Sequence, residues 1–395
     1  MDLFKKCYTY DAAKKAREHG YYPYFHVLNT KQDTIVEMEG KRMIMIGSNN
    51  YLGLASHPEV IEAAMNATKA YGTGVSGSRF LNGTLDLHIQ FEKELAEFLN
   101  KEDATIFSTG FQSNLGIISA IAGRNDIIFS DKENHASIYD GTRLSYAEVV
   151  RYNHNDMEDL EKKLAKADPN KGKLILTDGV FSMSGDIANL PEIVRLAKQY
   201  GSRVMVDDAH GLGVMGEHGR GTAEHFGLEK EVDIIMGTFS KSLASLGGYV
   251  AAEKDVVDYI RHNSRPYIFS AAIPAANAAA ALTALRILKR EPERVKALSD
   301  IADYMREGLK KRGLELRPSR TPIIPIYTYM PIRTMIACNQ LFEHGVYVNP
   351  VVPPATPIGE CLIRTSYTAT HTKEQMDEAI DKIVEVLKGL EDFNE

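Results

Sequence analysis

Cysteines and long apolar runs are scarce in this sequence. Cys7, Cys338 and Cys361 are the only cysteines, and no two of them form a CxxC pair. An odd number of widely spaced cysteines argues against a disulfide framework and a zinc site, and fits a reducing cytoplasm. The N-terminus lacks the apolar segment of a signal peptide, and no window reaches the roughly eighteen apolar residues that span a bilayer. We therefore expect a soluble cytoplasmic protein without a metal site, and leave peripheral contact with the inner membrane face open.

Positive charge is limited as well. Lys and Arg number 46 against 53 Asp and Glu, which gives a net charge of −7, and the basic residues form no cluster. The basic stripe that nucleic-acid binding requires is therefore missing. The sequence also lacks a GxGxxG run after a strand and a Gly-Lys-Ser/Thr loop, the two common nucleotide-binding motifs. Their absence removes the main support for an enzyme of hydride or phosphoryl transfer. The remaining composition, 44% apolar and 25% charged, is typical of a globular protein of two or three cores.

Apolar strands alternate with helical stretches between residues 104 and 251. Such alternation is typical of a mostly parallel sheet with helices on both faces. After residue 290 the strands are fewer and the helices longer, which indicates a smaller α+β domain. We predict an N-terminal arm and hairpin over 1–50, a large α/β domain over 51–290, and a small C-terminal domain over 291–395.

Lys241 is the first candidate for chemistry. It lies in a segment of small hydroxyl residues and glycines, 238–248, between two short apolar strands. Tight connections at strand ends are where α/β sheets place ligands. A lysine there forms a Schiff base with a carbonyl cofactor when an apolar pocket or a neighbouring cation lowers its pKa. The alternative is an ordinary Ser-Lys-Ser loop, so the prediction depends on the rest of the chain.

A second group of polar residues follows the apolar strand 204–206. Asp207, Asp208 and His210 come directly after this strand. A carboxylate at the carboxyl end of a buried parallel strand faces a ligand crevice and requires a cationic partner. A protonated pyridine nitrogen would be such a partner, whereas the alternative for Asp207 is a helix N-cap.

Further candidates are dispersed along the chain. Gly110 and Phe111 stand where a strand gives way to a helix, which favours an anion site for phosphate over a plain capped helix start. His135 is a candidate for ring stacking, with a structural histidine as the alternative, and Ser182 lies in a long loop of small residues. Arg364, inside an apolar strand, suits a carboxylate clamp; its alternative is a buried salt bridge.

Four motifs in this order resemble those of the α-oxoamine synthases: Gly110-Phe111, Asn134-His135-Ala136-Ser137, Asp207-Asp208-Ala209-His210 and Thr238-Phe239-Ser240-Lys241. The resemblance covers residues 49–371. It implies a pyridoxal 5'-phosphate (PLP) enzyme of the aspartate aminotransferase fold (fold type I). Its large domain would contain a mostly parallel, seven-stranded sheet, followed by the smaller C-terminal α+β domain.

The resemblance also implies roles for individual residues. Lys241 would hold PLP covalently, Asp207 would pair with the pyridine nitrogen, His210 would approach the phenolic oxygen, and His135 would stack on the ring and donate a proton. The other implied cofactor-binding residues are Gly110, Phe111, Ser182, Thr238, Ser240, Ser270 and Ala271, and the substrate-binding residues are Asn50, Tyr51, Thr356 and Arg364. Since Ser270 in this family reaches across from the second subunit, an obligate homodimer with shared active sites is implied.

Within the family, segments 77–84 and 349–357 are most similar to the soluble bacterial branch that condenses L-serine with a long-chain acyl-CoA, the first step of sphingolipid biosynthesis. The aromatic segment 21–25 suits an uncharged acyl chain. Asp208 and Gly211 depart from the commoner Asp-Glu-Ala-His-Ser pattern, and Arg265-Pro266-Tyr267 is similar to the glycine-using ligases. The alternatives are therefore an alanine-using 8-amino-7-oxononanoate synthase, a glycine-using 2-amino-3-ketobutyrate ligase and, against the presence of Lys241, a non-catalytic synthase subunit.

Overall fold

The computed structural model of the chain describes residues 1–390. Its helices are α1 (Lys5–Tyr8), α2 (Ala12–Glu18), α3 (Pro58–Tyr71), α4 (Asp86–Phe98), α5 (Gly110–Ile121), α6 (Ala136–Ser145), α7 (Met157–Leu164), α8 (Leu190–Tyr200), α9 (Thr222–His225), α10 (Lys254–Asn263), α11 (Arg265–Ile268), α12 (Ala275–Arg290), α13 (Glu293–Lys311), α14 (Pro331–Glu343) and α15 (Lys373–Gly389). Its strands are β1 (Ile35–Met38), β2 (Lys41–Met45), β3 (Asp103–Phe107), β4 (Asp126–Asp131), β5 (Glu148–Tyr152), β6 (Gly172–Asp178), β7 (Arg203–Asp207), β8 (Ile234–Thr238), β9 (Gly248–Ala252), β10 (Ile323–Tyr329), β11 (Val346–Tyr347), β12 (Asn349–Val351) and β13 (Cys361–Ser366).

A seven-stranded sheet forms the centre of the fold. Its strand order is β3-β9-β8-β7-β6-β4-β5. The strands from β8 to β5 pair in parallel, while β9 runs antiparallel to both β3 and β8. The predicted fold class, a mostly parallel seven-stranded sheet, is confirmed.

Both faces of this sheet are covered, and β7 shows how. Val204 and Val206 belong to one buried cluster and Met205 to another, because successive side chains of a strand point to opposite faces. A strand buried on both sides needs a continuous apolar run rather than an alternating one. The alanine-rich helix α12 packs in the first of these clusters through Ala281 and Leu285.

The N-terminal hairpin packs with the C-terminal elements. Strand β2 pairs in parallel with β11, and Ile44 shares a buried cluster with Met376 and Ile380. Residues 346–351 form two short strands in different sheets, because β11 pairs with β2 whereas β12 pairs with β13. The division at residues 50 and 290 stays a prediction, and 391–395 lie outside the described residues. Among the helices of 1–390, none has both the length and the apolar character needed to cross a membrane.

Four strands of the central sheet end in polar residues at the same edge. Asp131 ends β4, Asp178 ends β6, Asp207 ends β7 and Thr238 ends β8. Because these strands are parallel, their carboxyl ends meet at one edge, where open α/β sheets bind ligands. The fold thus gathers side chains that are far apart in the sequence.

A buried ion pair holds the glycine-rich segment 72–84 against the sheet. Arg79 donates from Nη1 and Nη2 to the two carboxylate oxygens of Glu92, at 2.7 and 2.9 Å. Glu92 Oε1 also accepts from the Thr105 hydroxyl and the Ile106 N–H. We expect Glu92→Gln to lower the free energy of unfolding by about 3–5 kcal/mol, since it leaves the buried guanidinium without a counter-charge. Urea unfolding followed by circular dichroism measures this loss.

The matched control lies on the same helix. Glu94 binds Arg286, whose side chain is half exposed, so Glu94→Gln is expected to cost less than about 1 kcal/mol. Equal losses in the two variants would contradict the importance assigned to the buried pair.

Candidate active site

A small cavity lies at the carboxyl edge of the sheet. Its volume is about 260 Å³. It is lined by Thr109, Gly110, Phe111, Asn114, His135, Ser137, Asp178, Val180, Asp207, Ala209, His210, Met236, Thr238, Ser240, Lys241 and Leu246. Eight of the residues predicted from the sequence therefore come together here: Gly110, Phe111, His135, Asp207, His210, Thr238, Ser240 and Lys241.

Lys241 is held in the cavity by a tight connection between β8 and β9. The Ser242 hydroxyl donates to Leu212 O at 2.6 Å, and the Thr238 hydroxyl donates to Gly247 O at 2.8 Å. Burial lowers the pKa of Lys241 to about 8; the charge of Asp207 opposes this shift, and that of Arg364 adds to it. A substantial fraction of this amine is therefore uncharged near neutral pH, as a nucleophile requires.

Asp207 is a buried carboxylate whose hydrogen-bond donors are neutral. Its Oδ2 accepts from Asn114 Nδ2 at 2.7 Å and its Oδ1 from the Ala209 N–H at 3.0 Å. Asp178 is its neighbour in register on β6. Burial, and then the charge of Asp207, raises the pKa of Asp178 well above its ordinary value, so the negative charge is concentrated on Asp207. This carboxylate is suited to a cationic ligand atom.

The other end of the cavity suits an anion. Helix α5 begins at Gly110, with Thr109 as the N-cap that accepts from the Gln112 N–H. The Thr238 and Ser240 hydroxyls lie 2.9 Å apart across from this helix end. A side chain at residue 110 would collide with Thr238, so glycine permits the close approach. Free N–H groups at a helix N-terminus together with hydroxyls form a phosphate site.

His135 stands between this cavity and a larger one. It caps α6, and its Nδ1 lies 2.6 Å from the Ser137 hydroxyl oxygen. Burial lowers the pKa of His135. The larger cavity has a volume of about 770 Å³ and is lined by His135, Ser182 and Thr356 among others. Of the predicted residues, Ser182 and Thr356 therefore lie beside the second cavity rather than the first.

Arg364 is a buried cation without a carboxylate partner in the part of the chain that the structure describes. Its guanidinium donates to Ser182 O at 2.5 Å, to Asn49 Oδ1 at 3.0 Å, to Ser366 Oγ at 3.3 Å and to the Tyr51 hydroxyl at 3.5 Å. All four acceptors are neutral, and within residues 1–390 no carboxylate forms an ion pair with it. The alternative of a buried salt bridge is therefore wrong for the described residues, and the role of Arg364 as a carboxylate clamp stays a prediction.

Tyr51 connects Arg364 with the small cavity. Its hydroxyl lies 2.7 Å from His210 Nδ1. Burial, and then the charges of Lys241 and Arg364, lowers the pKa of His210 well below its ordinary value, so this imidazole is neutral. Asn49, rather than the predicted Asn50, contacts Arg364; the side chain of Asn50 accepts from the Ala55 N–H instead.

Ser270 and Ala271 lie beside the phosphate end but do not line the cavity of their own chain. Ser270 Oγ accepts from Gln112 Nε2 at 2.6 Å, and the Ser108 hydroxyl donates to Ala271 O. Both residues therefore sit near the N-terminus of α5, on its outer side. Their predicted contact with the cofactor of a second subunit stays a prediction.

Asp208 and Gly211, which depart from the commoner Asp-Glu-Ala-His-Ser pattern of the family, are explained by one structural feature. Asp208 is buried and accepts from the Thr222 N–H at 2.7 Å and from the Thr222 hydroxyl at 2.6 Å. A side chain at residue 211 would collide with the carboxylate of Asp208. Burial raises the pKa of Asp208 to about 7. The two residues are thus sterically coupled and shape the loop that carries His210.

The prediction from the sequence did not include three residues of the site: Asn49, Asn114 and Asp178. Asn114 lies one helical turn after Gly110, and Asp178 ends a predicted strand just as Asp207 does, so the same reasoning would have found both. No sequence signal distinguishes Asn49 from Asn50.

Comparison with known proteins agrees with this geometry. The family model for aminotransferases of class I and II matches residues 41–383. A serine palmitoyltransferase from Bacteroides thetaiotaomicron is 51% identical over 389 residues, which cover 98% of this chain and 99% of that protein. An 8-amino-7-oxononanoate synthase from Thermosipho melanesiensis is 44% identical over 375 residues, 95% of this chain and 96% of that protein. A solved structure of serine palmitoyltransferase with PLP has a TM-score of 0.96 at 37% identity and covers 99% of both chains.

The chain therefore belongs to the aminotransferase class I and II family, and within it to the α-oxoamine synthases. The resemblance inferred from four motifs is confirmed, as is its similarity to the serine-using bacterial branch, whose members are serine palmitoyltransferases.

Proposed function

We propose that the protein catalyses the serine palmitoyltransferase reaction with PLP as its cofactor. L-Serine and a long-chain acyl-CoA condense to 3-ketodihydrosphingosine, CoA and carbon dioxide, the first step of sphingolipid biosynthesis. The proposal rests on identity to serine palmitoyltransferases over nearly the whole chain. The observation that carries it is the grouping of an amine of lowered pKa, Lys241, with the buried carboxylate Asp207 and the unpaired cation Arg364 at one edge of the sheet.

The residues of the small cavity fit PLP. Among the described residues, Asp207 receives its hydrogen bonds from a side-chain amide and a backbone N–H. Its negative charge is therefore available to pair with the protonated ring nitrogen of PLP. Lys241 would bind the aldehyde carbon, His135 the ring face, and Gly110 with Ser240 the phosphate. Bound there, PLP supplies an electron sink that stabilises negative charge on the substrate α-carbon.

The protein's own groups would then move the protons. The Arg364 guanidinium binds the serine carboxylate, and Lys241 Nζ accepts the α-proton. The α-carbon forms a bond to the thioester carbonyl carbon while the carbon–sulfur bond breaks, and the thiolate leaves and takes up a proton from solvent as CoA. His135 donates a hydrogen bond to the carbonyl oxygen as charge develops there. The bond to the carboxylate then breaks, carbon dioxide leaves, and Lys241 returns the proton to the α-carbon.

The larger cavity is the proposed site of the acyl-CoA. It meets the small cavity at His135, so a thioester held there would face the α-carbon. Its volume of about 770 Å³ lies in the range of drug-sized ligands. Lys132, Arg151 and Arg317 line it and could neutralise CoA phosphates. A cytoplasmic location and peripheral membrane contact stay predictions.

We also propose that the enzyme is a homodimer. Ser270, which does not line the cavity of its own chain, would complete the phosphate site of the second subunit. Sedimentation of the holoenzyme is expected to give twice the chain mass, and a monomer with full activity would contradict the shared site.

The amino acid and acyl specificity is tested with purified holoenzyme. Serine, alanine and glycine are each combined with acetyl-CoA, pimeloyl-CoA and a long-chain acyl-CoA, and CoA release is followed with a thiol reagent. We expect release with serine and the long acyl-CoA. Preferential release with alanine and pimeloyl-CoA would favour 8-amino-7-oxononanoate synthesis, and preference for glycine with acetyl-CoA would favour the ketobutyrate ligase.

Cofactor loading should depend on pH, because the neutral form of Lys241 is the nucleophile. Its pKa of about 8 leaves about a tenth of the amine neutral at pH 7 and most of it at pH 9. The rate of covalent PLP incorporation into the apo-protein is therefore expected to rise about tenfold between these values and then level off. Borohydride trapping and intact mass measure it. A midpoint near 10.5, the ordinary value for lysine, would contradict the burial effect.

A further inference from the structure

A histidine that has no role in the proposed mechanism is surrounded by three carboxylates beside the larger cavity. His154 lies in the connection between β5 and α7. Its Nδ1 is 3.0 Å from Asp131 Oδ1, and its Nε2 is 3.4 Å from Asp186 Oδ2 and 3.7 Å from Glu133 Oε2. Because both ring nitrogens face carboxylate oxygens, both must carry protons, which only the imidazolium form provides.

The surrounding charges keep this imidazole protonated. Burial alone would lower the pKa of His154, but hydrogen bonds and charge from Asp131, Asp186 and Glu133 raise it to about 10. The charge of Arg317 contributes to the lowered pKa of Asp186, and the charge of Glu360 contributes to the raised pKa of Glu133. The histidine is thus a fixed cation at physiological pH rather than a titrating group.

The cluster joins two segments of the active site. Asp131 ends β4 and precedes the connection that carries His135. Asp186 belongs to the β6–α8 loop, residues 179–189, which also carries Phe181 and Ser182. The ring of His154 packs edge to face on Phe181, with centroids 4.4 Å apart. His154 therefore fixes the β6–α8 loop against the β4–α6 connection.

One hydrogen bond connects the β6–α8 loop with the proposed substrate site. The Ser182 carbonyl oxygen accepts from Arg364 Nε at 2.5 Å. This contact sets the plane of the guanidinium, and a planar fork binds a carboxylate through two parallel hydrogen bonds only in the correct orientation. A loop released from His154 would remove this contact, which is the only one of the four acceptors of Arg364 that the loop supplies among the described residues.

We propose that His154 is a positioning residue for the amino acid substrate: it holds the β6–α8 loop so that Ser182 orients Arg364 towards the substrate carboxylate. The inference rests on the proposed function, since Arg364 binds the serine carboxylate there. It assigns His154 to carboxylate recognition and not to the acyl-CoA, although His154 lines the larger cavity.

The test compares serine with ethanolamine, the same amine without its carboxylate. Binding of each to the holoenzyme is followed by the near-visible absorbance of the cofactor. In His154→Gln we expect serine to bind about tenfold more weakly, the effect of losing one charge-assisted hydrogen bond, and ethanolamine to bind as in the wild type. Asp186→Asn removes the carboxylate on the loop side and should act in the same direction, which keeps the test available if the histidine variant does not fold.

His218→Gln is the matched control. His218 also pairs with a carboxylate, that of Glu224, but lines neither of the two active-site cavities. The affinity of the His218→Gln variant for serine should equal that of the wild type. Unchanged serine affinity in both His154→Gln and Asp186→Asn, or equal weakening of serine and ethanolamine, would overturn the inference alone. A wild-type holoenzyme that does not bind serine would overturn the proposed function as well.

Discussion

Replacing Lys241 by alanine is expected to abolish both the condensation and the covalent attachment of PLP. The side chain is the partly buried amine of the small cavity, with a pKa of about 8, and Thr238 and Ser242 hold its connection in place. Because it is proposed to carry the cofactor and to move the α-proton, kcat should fall by about 10⁴-fold or more, the upper range for a proton-transfer group. The decisive measurement is intact mass after borohydride reduction, in which the wild type gains the mass of the cofactor and the variant does not.

Lys162→Ala is the control for this experiment. Lys162 lies on α7, is largely exposed and forms a surface pair with Glu158, so its removal should leave mass gain and turnover unchanged. If Lys241→Ala still gained the cofactor mass, another lysine would be the attachment site and the assignment would be wrong.

Replacing Arg364 by alanine is expected to give the second largest effect, and a selective one. The guanidinium has four neutral acceptors and no acidic partner among residues 1–390, and in the proposed function the substrate carboxylate supplies the counter-charge. Loss of a buried, bidentate charge pair should weaken the binding of serine by about 100-fold, or about 2.7 kcal/mol of binding free energy. Spectral titration of the cofactor with serine measures this affinity without acyl-CoA.

The selectivity distinguishes recognition from general damage. The KM for acyl-CoA should change little, and binding of ethanolamine should be retained in Arg364→Ala. Arg364→Lys keeps the charge but not the planar fork, so it should recover only part of the affinity. Arg294→Lys, at a partly buried arginine paired with Glu291, serves as the control and should behave as the wild type. Parallel losses for serine and ethanolamine would contradict a carboxylate clamp.

The proposed chemistry depends on a division of charge between neighbouring strand ends. Asp178 and Asp207 are adjacent in register, and two neighbouring buried carboxylates do not both ionise readily. Asn114 and the Ala209 N–H donate to Asp207, which stabilises its anionic form, whereas the pKa of Asp178 is raised. The site can therefore present one negative charge to a ring nitrogen.

The sequence predicted the central fold and most of the small cavity for a physical reason. Strands buried on both faces require uninterrupted apolar runs, so the residues that follow such runs mark the carboxyl edge of the sheet. Asp207 and Lys241 were found in this way, and the predicted order of strands and helices holds from β3 to β9. Local pattern and residue chemistry were sufficient where the site is built directly on strand ends.

Contacts across long sequence distances were not predictable in the same way. The carboxylate clamp requires Asn49, Ser182 and Arg364 to converge from three regions of the chain, and no local pattern encodes their meeting. The pairing of β2 with β11 and the buried pair between Arg79 and Glu92 have the same character. They arise from the packing of whole elements, in which each side chain finds its partner only after the elements have docked.

The sequence by itself determined the family, the cofactor-binding lysine as a candidate and the side of the sheet on which the chemistry takes place. These depend on residue type, order and the alternation of strand and helix. Only the tertiary structure decided that Arg364 has no acidic partner within residues 1–390, that Asn49 rather than Asn50 contacts it, and that His154 contacts Asp186 in the loop that carries Ser182. Such facts depend on which groups remain unpaired or become paired after burial, and burial is a property of the folded chain.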